Sequence, residues 1–278
     1  LESGPFSLFS GTGVTERPDT LCAKVSEGRI AVLVDGSPYA ILLPCLFSEN
    51  FQSMDDYAER PYYAVFIRLI KYLAFFLTIL LPGCYVAAVN FHPELIPDQL
   101  LFRIAEAEQD MAFPLMFQAL LIHFIYELMR EAGLRLPRPV GHAVSIIGAL
   151  VIGDAAVTAG LISTPMVMVV ALTTISSFVI PSLYEPVTLL RLLFILLGGT
   201  LGLYGVVLGL AFVGVNLCSV TVLGVPATSP ETPLSLYSLR DTLIRVGWRQ
   251  LGQEQFIISR TAGADQNGEP ADQNREGQ

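Results

Sequence analysis

His123 and Glu127 stand four residues apart in FPLMFQALLIHFIYELMR, residues 113–130, so they share one face of any helix formed there. An imidazole and a carboxylate in so apolar a run are costly unless paired or wetted. Three uses fit them: hydrogen bonds between neighbouring helices, a path for a cation or proton, or the beginning of a metal site. The metal reading is the weakest, because the spacing supplies no further ligand. Arg130 lies three residues beyond Glu127 and can pair with it within the same helix. Asp154 sits in VGHAVSIIGALVIGDAAVTAGL, residues 140–161, either as a local cap or as a wetted functional site. Thr173, Thr174, Ser176 and Ser177 make a hydroxyl patch in the 165–184 run, and Thr173 shares a face with Ser177. Such hydroxyls bond to their own helix or a neighbour, or line a water-filled path. Gly198, Gly202, Gly205 and Gly209 follow at spacings of four, three and four. On a straight helix they form a small-residue seam that admits a second helix, from this chain or from another copy.

Catalytic patterns are missing. The sequence has no GxxxxGK[ST], HExxH or GxSxG, and its three histidines are scattered. No catalytic residue, cofactor or bound metal is expected, and the chain does not read as an enzyme. Cys22, Cys45, Cys84 and Cys218 are far apart, with no CxxC, which points weakly to a reducing compartment. A net charge of −9 argues against a nucleic-acid surface.

The elements that position these residues follow from bulk apolarity. Apolar residues make up 53% of the chain and mean hydropathy is +0.57, far above soluble averages. Tyr72 to Phe91 runs without one charged side chain, and about twenty residues at 1.5 Å each match a bilayer core. Further apolar segments cover about 113–130, 140–161, 165–184 and 189–223. In FHPELIP, residues 91–97, two prolines forbid continuation of the first span and turn the chain along the interface. Leu100, Leu101 and Ile104 then give the next helix an apolar face.

Basic residues set the orientation. Arg60, Arg68 and Lys71 place the N-terminal side in the cytoplasm, and Arg130, Arg135 and Arg138 bring the chain back. Arg240, Arg245 and Arg249 favour a cytoplasmic tail, so the number of crossings should be even. The preferred reading lets the weakly apolar 140–161 segment enter and return. Five spans with a mis-signed tail, or six with the last stretch folded in two, are the rivals.

The expected fold class is mainly α: a polytopic helical membrane bundle with about four spans plus one re-entrant or short segment. A small α+β cytoplasmic portion precedes it. The domains read as residues 1–60, the end of a cytoplasmic domain; 61–226, transmembrane; 227–260, a cytoplasmic amphipathic tail; and 261–278, disordered. Within the first, RIAVLVDGSPYAILLP (29–44) reads as a hairpin about Asp35-Gly36-Ser37-Pro38 whose strands need cover on both faces. LFSENFQSMDDYAERP (46–61) reads as one short helix ended by Pro61.

TERPD (15–19), EGRIAVLVDGSP (27–38), KYLAFFLTILLP (71–82), FHPELIP (91–97), REAGLRLPRPVG (130–141), GALVIGDAAVTAGLIS (148–163) and ISSFVIP (175–181) occur here in order. In these motifs the chain resembles the GerA family, the A subunits of spore germination receptors in endospore-forming bacteria. The resemblance runs from Thr15 to Pro226. It implies a multi-pass protein of the inner spore membrane, sensing nutrients with a transporter-like B subunit and a lipoprotein C subunit. It also implies oligomerisation and ion conduction, and a larger N-terminal region ahead of Leu1. Asp154 replaces a glutamine common in the family, and His123 a glutamate. A non-conducting scaffold and a secondary transporter are the alternatives. Transporters are often built from internal repeats, and none relates 70–138 to 140–223.

Overall fold

The computed structural model describes residues 7–137 and 153–229. Its contacts divide into two compact units, one built from residues up to Tyr72 with those from Val213 onward, the other from Leu73 to Phe212.

In the first unit, β1 (Gly13–Thr15) leads to α1 (Pro18–Ser26), then β2 (Ile30–Leu33) and β3 (Ala40–Leu43). The expected hairpin is present: β2 and β3 pair antiparallel, Ile30 opposite Leu43 and Leu33 opposite Ala40. Gly36, at φ +80°, supplies the turn conformation that a side chain would strain. β1 adds to the other side of β3, giving the order β1-β3-β2. Three residues are too few to show an alternating pattern, so this strand was not expected. Burial is uneven: Ala40, Leu42 and Leu43 are buried, whereas Ile30 and Leu33 are exposed on the edge. Residues 220–227 close on the sheet. β4 (Thr221–Val222) and β5 (Val225–Pro226) pair as a tight hairpin, and Val220, Val222 and Ala227 share a buried cluster with Leu43.

Residues 46–61 correct the expectation of one helix. They form a 3₁₀ turn at Phe47–Phe51 and the short α2 (Asp55–Ala58), and Pro61 opens the next helix instead of ending this one. Proline has no N–H to lose in a first turn and its φ is already helical. That helix, α3 (Pro61–Phe91), is 31 residues long and begins well before the apolar run. Its first turns are fastened by buried Asp56, which takes Arg68 Nε at 3.3 Å and Lys71 Nζ at 3.3 Å, and by Tyr72 stacked on Phe51 at 4.1 Å.

In the second unit α3 continues to Phe91 and stops where expected, with a 3₁₀ turn at Pro93–Leu95. α4 (Asp98–Glu108) buries Ile104, while Leu100 stays exposed. α5 (Leu115–Arg135) follows; residues 153–158 are helical; α6 (Thr164–Ser177) ends ahead of a 3₁₀ turn at Pro181–Leu183; and α7 (Tyr184–Ser219) completes the unit's path. α5 and α6 pack through Leu115, Ala119 and Ile122 against Ile162, Met166 and Val170.

α7 is not straight. Gly202 has φ 64° and ψ −150°, outside any helix. A Cβ on Gly209 would meet Phe194 at 2.8 Å, and one on Gly205 would meet the Leu197 carbonyl at 2.4 Å. In a straight helix residues fifteen apart are separated by about 22 Å. The long stretch is therefore folded back on itself at Gly202, and residues 203–212 run antiparallel to 184–201.

Of the 140–161 segment, expected to enter and return, only residues 153–161 are described. Gly160 accepts a hydrogen bond from Ala112 N–H at 2.9 Å, and Ser163 N–H donates to Gln118 Oε1 at 2.9 Å. Both lie at the N-terminal end of α5, whereas the chain left α5 at Arg135, about 30 Å away along its axis. Residues 138–152 themselves lie outside the described residues, as does the tail from 230, where the basic and disordered tail segments were expected.

Among the described residues, two helical stretches are long and apolar enough to cross a membrane: Pro61–Phe91 and Pro181–Ser219. α5 carries Glu127, Arg130, Glu131 and Arg135, and α6 has only 14 residues.

Candidate functional site

Glu127 is the centre of the polar group inside the second unit. Arg191 Nη2 donates to its Oε1 at 2.6 Å, and the Tyr184 hydroxyl lies 2.7 and 2.6 Å from the two carboxylate oxygens. Thr188 Oγ1 reaches Oε1 at 3.5 Å. Tyr184, Thr188 and Arg191 are spaced four and three apart, so one face of α7 presents all three to α5. Arg130 approaches Glu127 Oε2 at 3.8 Å, as its i,i+3 spacing allows, and its guanidinium lies 3.2 Å from the centroid of the Tyr184 ring. That is a cation–π contact, strengthened by partial burial.

Arg191 is wholly buried, and its Nε and Nη1 have no hydrogen-bond partner among the described residues. His123, also wholly buried, has Nδ1 2.7 Å from the Ala119 carbonyl one turn back. A carbonyl only accepts, so the proton is on Nδ1 and Nε2 is left as an acceptor, without a partner among the described residues.

Within the hydroxyl patch Thr173 and Ser177 bond locally, whereas Thr174 Oγ1 is buried without a partner among the described residues. Thr173 Oγ1 donates to Val169 O at 2.7 Å and Ser177 Oγ to Thr174 O at 2.7 Å, and Thr173, Ser176 and Ser177 are buried. Asp154 stands apart: its residue is exposed, and its recorded contact is a backbone one, the carbonyl accepting from Thr158 Oγ1 at 2.8 Å. The glycines are engaged within the chain. A Cβ on Gly198 would sit 2.3 Å from the Gly83 carbonyl, so α3 and α7 touch backbone to backbone there. Gly202 makes the reversal beside Phe91, and Gly205 and Gly209 face the first half of their own helix. The seam is thus divided at Gly202 and does not run along one face. Among the described residues no group of three or more His, Cys, Asp or Glu side chains is placed to hold a metal, and the four cysteines are free thiols.

The sequence matches the family model described as Bacillus/Clostridium GerA spore germination protein over residues 1–255. The chain belongs to the GerA family. It is similar to spore germination protein KA of Bacillus subtilis (strain 168), 43% identical over 98% of this chain and 51% of that protein. It is also similar to the uncharacterized membrane protein YfkQ of the same organism, 37% identical over 95% of this chain and 52% of YfkQ. With spore germination protein GerLA of Bacillus cereus it shares 37% identity over 87% of this chain and 49% of GerLA. The chain spans about half the length of these curated relatives. No solved structure matches it.

In this GerA chain, Arg191 and Tyr184 are the functional candidates that spacing alone missed. One arginine in TLLRLLFILLGG vanishes in a window average, though a lone cation in an apolar run is itself a signal. Glu127, seen from the sequence as a partner of His123 and Arg130, is bound chiefly by a helix 64 residues further on.

Proposed function

We propose that this chain is the membrane part of a germination receptor A subunit, with the end of its cytoplasmic domain, in the inner spore membrane. It assembles there with a transporter-like B subunit, a lipoprotein C subunit and further copies of itself. Nutrient binding by the partner opens an ion path through the assembly. Membership of the GerA family supports the germination role, and the two long apolar helices support the membrane.

Gly160 beside the N-terminal end of α5, with Arg135 at its other end, and the fold-back at Gly202 favour six crossings. An even number leaves both ends on one side, in keeping with the cluster that joins Val220 to Leu43. By the distribution of basic residues that side is the cytoplasm.

The observation that carries the ion-path reading is the Glu127–Arg191–Tyr184 group, an ion pair with a bonded hydroxyl held between two helices of the second unit. Buried pairs of this kind add little net stability and are costly to assemble, so one placed within apolar helices points to use. With Arg191 in place the carboxylate is neutralised, which fits a closed state. Opening exchanges Arg191 for a passing cation, with Thr173, Ser176 and Ser177 on the neighbouring helix as further oxygen ligands.

The test is ion flux from liposomes carrying the full-length A subunit with its partners. Nutrient-dependent release of monovalent cations is expected, and it should be lost in Glu127→Gln. Absence of any nutrient-dependent flux across all conditions leaves only the scaffold reading.

A further inference from the structure

A second polar group lies at the other end of α5, around Gln118. The Gln118 side chain is wholly buried and fully used: Nε2 donates to Glu108 Oε2 at 2.7 Å and to Phe113 O at 2.9 Å, and Oε1 accepts from Ser163 N–H. One amide therefore holds the end of α4, the loop before α5 and the start of α6 together. Around this clamp three buried oxygen atoms have no hydrogen-bond partner among the described residues: Glu108 Oε1, Ser163 Oγ and Tyr85 Oη. Ser163 is wholly buried, and Tyr85 packs against the cluster of Leu115, Ala119 and Ile162 that flanks Gln118 and Ser163.

The chemistry of the set narrows what can occupy it. Leaving three buried polar atoms unsatisfied costs several times the value of one hydrogen bond. Among the described residues no ion pair involves Glu108; Arg103 on the same helix pairs with Glu106 at 3.5 Å. Glu108 is also the last residue of α4, where the helix dipole adds negative potential. The group is all oxygen, with one negative charge, which excludes an anion. A divalent ion such as Ca²⁺ takes six to eight oxygens with several carboxylates, more charge than this group has.

We infer that Glu108, Ser163 and Tyr85, set by Gln118, form a binding site for one small monovalent cation, an alkali-metal ion or a primary ammonium group. Glu108 Oε1 supplies the charge, and the two hydroxyls supply neutral oxygens. The site is separate from Glu127, whose charge is already met by Arg191.

Thermal unfolding of the full-length subunit in nanodiscs tests this. Sodium, potassium or methylammonium replaces N-methylglucamine at constant ionic strength. A saturable rise in the midpoint with at least one small cation is expected, and it should vanish in Glu108→Gln, which keeps a Gln118 acceptor. Ser163→Ala keeps the N–H bonded to Gln118, so it should fold, and it should weaken the effect about tenfold, as one lost ligand implies. A rise with alkali ions alone identifies a metal ion, and a rise with methylammonium alone an organic ammonium. No cation-specific rise, a rise with Ca²⁺ only, or an undiminished rise in both variants overturns the assignment. The readout is independent of flux, so loss of stabilisation in Glu108→Gln with nutrient-triggered release intact upholds this site and separates it from the ion path.

Discussion

Arg191 donates to Glu127 at 2.6 Å from inside the longest apolar stretch of the chain, and no part of its side chain reaches solvent. The two residues join α5 to the first half of α7. Because Tyr184 and Arg130 converge on the same carboxylate, Glu127 is the point on which three long side chains depend.

Removing one member of such a pair strands the other. Arg191→Met should destabilise the fold by about 3–5 kcal/mol, because Glu127 loses its wholly buried cation. The double variant Arg191→Met/Glu127→Leu should recover most of that loss, since the stranded charge goes with it. Thermal unfolding of the four members of this cycle in detergent measures the coupling; additive losses would show that the pair is not energetically linked.

The glycines of α7 give a graded series. Gly198→Ala places a methyl group 2.3 Å from the Gly83 carbonyl, a backbone atom that cannot swing aside, and should cost about 1–3 kcal/mol by overpacking. Gly202→Ala forces a side chain into φ 64°, ψ −150°, a conformation worth about 1–3 kcal/mol of strain for any residue with a Cβ. Gly214 has open space where a Cβ would go, so Gly214→Ala should be neutral or slightly stabilising, as expected for alanine in a helix. Equal unfolding midpoints for the three variants would contradict the fold-back at Gly202.

What was legible in the sequence was local. Two prolines around Glu94 announced the end of α3, and Asp35-Gly36 announced the β2–β3 hairpin, because each acts on its own backbone. Gly202 was legible as a small residue but not as a reversal: spacing assumes a continuous helix, and a positive φ leaves no mark in the pattern. Of the candidate site, Glu127 was legible as a charge out of place. Its partner was not, because the Arg191 contact is tertiary and α7's hydropathy masks one cation. Asp154 looked equally out of place; its residue is exposed.

In the first unit, acid should loosen the start of α3. Burial pushes the Asp56 carboxyl upward, but its hydrogen bonds with Ser53 and the nearby Lys71 and Arg68 outweigh that, holding it below the ordinary aspartate value of 3.8. A lowered value stabilises the folded state fully above the unfolded value, and the benefit fades as pH falls through the folded one. Unfolding followed from pH 6 downward should therefore show an acid-sensitive component beginning below pH 3.8. Asp56→Asn should be less stable at neutral pH and lack that component; an unchanged acid limb would show that Asp56 contributes none of it.

The six-crossing path makes the sharpest demand on the chain between α5 and α6. Gly160 is hydrogen-bonded beside the N-terminal end of α5, and Glu131 lies near its other end. In a background with the four native cysteines replaced, Ala159→Cys and Gln109→Cys should react with an impermeant thiol reagent from one side of the membrane. Glu131→Cys should react only from the opposite side. All three positions are exposed, so failure to label for lack of access is not expected. Labelling of Ala159→Cys from the Glu131 side would restore the re-entrant segment, leave five crossings, and require Gly160 to part from Ala112.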